Sequence, residues 1–183
     1  MLRIVRFVVL TLLAVVLAPT VVSAANLTTP QKATLKAFIQ ADPVAGPMFA
    51  DGNLSGVADF LNADSDPAFI VWRTFVSRDQ VMLNGFDWAR VDNLSIGKAR
   101  IWEWLVMGPT GGFDPSKVNV RAGIDAVWVG TQADLAVRAA VYVHCKRTAT
   151  RLEQLFAVGT GNDANPATMA VVGPIAFTEL IGL

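Results

Sequence analysis

From Leu27 onward, apolar positions recur mostly at helical spacing, and the breaks between the runs are well marked. In LTTPQKATLKAFIQADP, Leu35, Phe38 and Ile39 share one face and Asp42-Pro43 ends the run. Its start has two readings: Thr29 as the cap before Pro30 in first helical position, or Thr28 as the cap with Gln31 closing a capping box. A second short helix is expected over 54–61, where Leu54, Val57, Ala58 and Leu61 line up, and NADSDP after it reads as a loop. AFIVWRTFV (68–76) is too short to type by period, and its β-branched and aromatic content favours an extended segment. Ser77 and Gln80 then form a capping box, with Asn84-Gly85 as the stop.

A third helix is expected over about 95–107, closed by Gly108-Pro109. FDPSK opens a fourth, with Asp114 as cap and Pro115 in first position, running to about Val129 before Gly130. Thr131 and Asp134 cap a fifth that reaches at least His144, and TRLE (150–153) marks either a restart or a continuation to Phe156. After the turn-forming run VGTGNDANP, ATMAVV (167–172) looks extended, Gly173-Pro174 breaks it, and 177–181 forms a last helical turn. These elements predict a mainly α chain: a single compact helical domain with short extended segments near 68–76 and 167–172, without repeat or linker.

Composition changes the picture at one end only. Of the 183 residues 53% are hydrophobic and 16% charged, and part of that excess lies in residues 1–25. A basic start (Arg3, Arg6), an apolar run from Phe7 to Ala18 and a small-residue end at Ser23-Ala24-Ala25 have the anatomy of a secretory signal peptide. The run is shorter than the ~20 residues that a spanning helix needs. Cleavage after Ala24 or Ala25 is expected, and a start placed too far upstream is the alternative. Without residues 1–25 the chain has 13 basic and 15 acidic side chains, 15 of each in the whole less Arg3 and Arg6; a net charge of −2 is no nucleic-acid signature.

The candidate chemistry is sparse. VHCKR (143–147) holds the only histidine and the only cysteine, but neighbours on a helix project about 100° apart, so His144 and Cys145 cannot serve each other as base and nucleophile. One histidine and one cysteine also make a poor zinc site. SIGK (95–98) has the Ser-x-x-Lys spacing of penicillin-binding proteins without their other motifs, and Ser95 reads as an N-cap. GTGNDA (159–164) follows a helix rather than a strand, so it reads as a turn and not a dinucleotide loop; Asp64 and Asp66 lack the other ligands of a calcium loop. Arg138, Lys146, Arg147 and Arg151 read as a solvated helix end, with a phosphate-binding patch as the alternative. No catalytic, cofactor-binding or metal residue is assigned. Five tryptophans remain, and IWEWLVM puts Trp102 and Trp104 on different sides of one helix; these two are the interface candidates.

In order along the chain, LTTPQKATLKAFIQADP, AFIVWRTFVSRDQVMLNGFDWARVDNLSIGKARIWEWL, FDPSKVNVRAGIDAVWVG and KRTATRLEQLFAVGTGNDANPATM resemble a family of small, poorly characterised proteins of tailed bacteriophages and prophages. The resemblance covers 27–176, is most specific from Val71 to Leu105 and at the GTG turn, and does not extend to residues 1–26. It implies a virion-associated or assembly protein without enzymatic activity, acting through self-association or on other virion proteins near the head–tail junction, located in the virion or in the host cytoplasm during assembly. The signal-like segment supports the other reading, an exported periplasmic binding or interaction protein.

Overall fold

A computed structural model describes residues 27–83, 86–108 and 110–183; the signal-like segment 1–25, the Asn84-Gly85 stop and Pro109 lie outside the described residues. The chain is mainly α, as its periodicity predicts, with short strands paired in twos. In helix α1 (Thr29–Ala41), Thr28 rather than Thr29 is the cap, closing a reciprocal box with Gln31, and Leu35 and Ile39 are buried. Asp42 ends it and its carboxylate accepts from the amides of Val44 and Ala45, which starts α2 (Ala45–Ala50). The sequence gives no periodic signal for α2, because Gly46-Pro47 resembles a turn. Pro47 is tolerated there since it lies in the first turn, where amides have no intrahelical partner. Helix α3 (Leu54–Asn62) follows, with Val57, Ala58 and Leu61 inward as expected.

The extended stretch 68–76 is two strands with separate partners. Strand β1 (Ile70–Trp72) pairs antiparallel with β4 (Lys146–Thr148), while β2 (Val76–Ser77) pairs with β3 (Gly112–Phe113). Strand β2 runs directly into α4 (Arg78–Met82), capped by Ser77 and Gln80. A 3₁₀ turn over Trp88–Asn93 leads to α5 (Ile96–Val106), with Ser95 as its cap.

The fourth long helix departs from the sequence reading. It does not start at Asp114-Pro115: α6 covers Val118–Val127, with Lys117 in the cap position. Strand pairing and the hydrogen bonds around Asp114-Pro115 displace the start. Gly112-Phe113 is held extended against β2, and Asp114 closes a turn by accepting from the Ser116 amide, while Arg121 reaches back to the carbonyls of Pro115 and Ser116. Helix α7 (Gln132–Cys145) has the expected Thr131–Asp134 box, and Thr150–Glu153 is a restart that opens α8 (Arg151–Phe156). Of 167–172 only β6 (Thr168–Met169) is a strand, paired with β5 (Ala157–Val158), and α9 (Phe177–Leu180) closes the chain.

Two hydrophobic cores result. One is built from α1, α3, α8 and the C-terminal segment around Leu35, Ile39, Leu61, Leu152 and Leu180; the other from α4 to α7 around Trp102, Ile124, Trp128 and Val141. Between them Val71, Ala149, Ala167 and Met169 form a small third cluster where β1 meets β4 and bridges to Ala167. Glu153 is tied into this region. It is 1% exposed, takes two 2.6 Å bonds from Arg147, and accepts from the amides of Thr150 and Gly173. Burial pushes its carboxyl up, but those hydrogen bonds, Arg147 first, outweigh burial and hold it below the ordinary glutamate value.

Candidate functional site

The two candidate tryptophans part company on α5. Trp102 is 2% exposed: its ring stacks on Phe86 at 5.6 Å and meets the edge of Trp128 at 5.3 Å. Trp104, two residues and about 200° further round the helix, is 70% exposed. Leu105 and Ile101 turn towards α6, where Gly123 leaves room for both side chains. The outward arc of α5 therefore carries Ile96, Arg100, Glu103, Trp104 and Met107, all exposed.

Beside that arc runs a groove of about 630 Å³, walled by α4, the 3₁₀ turn and α5, with Met82, Leu83, Trp88, Val91, Val106 and Met107 along it. Leu83 and Trp88 are well exposed, as are Ile96 and Met107. Trp104 is exposed as well. The groove and the arc are continuous through Met107, which belongs to both. Sequence reasoning missed Leu83, Trp88, Ile96 and Met107. The spacing of Ile96 and Met107 on α5 held a signal, but only the position of Trp102 says which side of that helix faces out.

A comparison of the chain with protein-family models, with curated proteins and with solved structures finds no match.

A second concavity, about 740 Å³, opens beside β1 and α7. Its wall is the Trp72–Tyr142 pair, rings 5.5 Å apart, with the Arg121 guanidinium 4.7 Å from the Trp72 ring centre. Burial, and then the hydrogen bond that the phenol donates to the Asp125 carboxylate at 2.9 Å, push Tyr142 well above its ordinary value. The charges here are already engaged: Arg138 with Asp125, Lys146 with Asp163. Arg147 is held by Glu153, and Arg151 by the Phe60 carbonyl and ring. Each of the four basic residues grouped in sequence thus has its own partner among the described residues.

The remaining candidates resolve into structural roles. Cys145 is fully buried at the end of α7, and burial pushes its thiol up to about 12, far from thiolate at neutral pH. Ser95 accepts from the Lys98 amide as the α5 cap, and the Lys98 ammonium donates to the Val129 carbonyl. In GTGNDA, Gly159 and Gly161 both have positive φ, and Gly161 lies against the Phe69 ring where no Cβ would fit. Among the described residues no group of His, Cys, Asp and Glu could hold a metal ion, and no helix is long and apolar enough to cross a membrane.

Proposed function

We propose that this chain is a structural or assembly protein of a tailed phage or prophage, working without catalysis through contacts with itself or with a neighbouring virion protein. The observation that carries the reading is the set of exposed apolar side chains around α5: Leu83, Trp88 and Met107 along the groove, and Trp104 one turn from Met107 on the same helix. Tryptophan is among the residues enriched at contact hot spots. The test is light scattering behind size exclusion, together with co-purification from phage-producing cells. An oligomer or a particle-associated chain supports the reading, and a strict monomer found with no particle refutes it.

The exported binding protein is the second reading, and the Trp72–Tyr142 cleft favours it. Aromatic rings flanked by polar groups, as at Arg121 and Asp125, suit a small ligand with an apolar face. Sequencing the mature N-terminus separates the two. A start at Ala25 or Asn26 supports export, and an uncut chain supports the phage reading.

A further inference from the structure

The outward arc of α5 has an order that its apolar content alone does not explain. Ile96, Arg100, Glu103 and Met107 stand at i, i+4, i+7 and i+11, which places them within about 60° of one another and over about 17 Å of helix. Read from either end, this stripe is apolar, charged, charged, apolar, and the two charges are opposite. Ile96 is 81% exposed and Met107 58%. Neither Arg100 nor Glu103 has an ion-pair or hydrogen-bond partner among the described residues, whereas the cations at 90, 138, 146 and 147 all have one.

We propose that the occupant of this face is a second copy of the same chain, with the two α5 helices packed antiparallel about a two-fold axis at the midpoint between Arg100 and Glu103. The inference rests on the self-association reading above and specifies its partner and geometry. In that arrangement Ile96 lies against Met107 of the second copy, and Arg100 against its Glu103. Each contact occurs twice, as an isologous interface requires. A parallel pairing would set Arg100 against Arg100 and Glu103 against Glu103, so charge order selects the antiparallel one. Trp104 lies about 2.5 residues from the midpoint, which brings the two indoles to one edge of the helix pair, about 8 Å apart along its axis.

Charge reversal tests the register on the full-length chain. Arg100→Glu sets two carboxylates against each other at both symmetric contacts, and Glu103→Arg does the same with two cations. Each single variant is expected to weaken dimerisation roughly tenfold or more in sedimentation equilibrium, since two exposed pairs change from attraction to repulsion. The double variant R100E/E103R exchanges the charges and is expected to return the dissociation constant to within about threefold of the parent. Both positions are solvent-exposed, so thermal midpoints recorded alongside should stay level and show that the fold is intact. The pairing is overturned by single variants that dimerise like the parent, by a double variant without rescue, or by a monomeric parent. An oligomer indifferent to both reversals removes this geometry and leaves the self-association reading in place. A monomer that still travels with particles removes the second copy as occupant and leaves docking on a virion protein. A monomer without particles removes both.

Discussion

Glu153 offers the most exacting test of how the fold is held. Its two carboxylate oxygens divide four donors between them: one takes an Arg147 nitrogen and the Thr150 amide, the other the second Arg147 nitrogen and the Gly173 amide. Glu153→Gln keeps the shape but turns one oxygen into a donor. Whichever way the amide is placed, one guanidinium N–H and one backbone N–H then face an N–H, and the Arg147 charge, on a side chain 26% exposed, loses its buried counterpart. Each orphaned buried donor costs about 1–3 kcal/mol, and breaking a buried ion pair from one side about 3–5 kcal/mol in all. We therefore expect a loss of about 3–5 kcal/mol, read as a fall in the urea midpoint at unchanged slope. Removing both partners, as Arg147→Met with Glu153→Leu, should cost less than the sum of the singles, since no charge is left stranded. The folded carboxyl is held low, so its contribution is complete above the ordinary glutamate value of about 4.3 and fades as the pH falls below it. A Gln variant within about 1 kcal/mol of the parent at pH 7 would refute the network as the tie between α8, β4 and the Gly173 turn.

Other outcomes follow from single contacts. Gly161→Ala, at φ +68° and against Phe69, should lower the thermal midpoint, because the added methyl is strained in the backbone and displaces the ring; a neutral result in a melting scan would contradict that packing. Cys145 should react with a thiol reagent no faster than the protein unfolds, and rapid labelling at neutral pH would contradict its burial. Asp134 is held down to about 2, chiefly by the 2.6 Å bond from Arg90. Its contribution is thus present above the ordinary aspartate value near 3.9 and lost as the pH falls from there towards 2; Arg90→Met should flatten that part of the acid-unfolding curve. Trp104→Ala should leave stability nearly unchanged, whereas Trp102→Ala should cost about 3–5 kcal/mol in denaturant, because one ring is in solvent and the other in the core.

What was legible in the sequence was local. The boxes at Thr28–Gln31, Ser77–Gln80, Thr131–Asp134 and Thr150–Glu153 are made within four residues, and all four start helices where they stand. FDPSK failed as a helix start for the opposite reason. Its capping chemistry is real, since Asp114 does accept an amide, but pairing of Gly112-Phe113 with Val76-Ser77 and the reach of Arg121 decide what that chemistry closes. Likewise the basic run at the end of α7 looks uniform in sequence, yet Lys146 finds Asp163 and Arg147 finds Glu153 across turns that no local pattern specifies.

The surface of α5 sits between these cases. Side chains two apart on a helix diverge by about 200°, so IWEWLVM dictates that Trp102 and Trp104 cannot share a face. It does not say which is buried. That choice belongs to Phe86 and Trp128, which arrive from outside the helix to pack against Trp102 and so turn Trp104, with Ile96 and Met107, towards solvent. Core formation explains why Trp104 is out, but a small polar residue there would satisfy the core equally well. The core also does not require the neighbouring Arg100 and Glu103 to stand without a partner among the described residues and in mirrored order between two apolar residues. Those features acquire a common cause once a second α5 lies across the first, and the cleft at Trp72, whose charges are already engaged, has no such mirrored order.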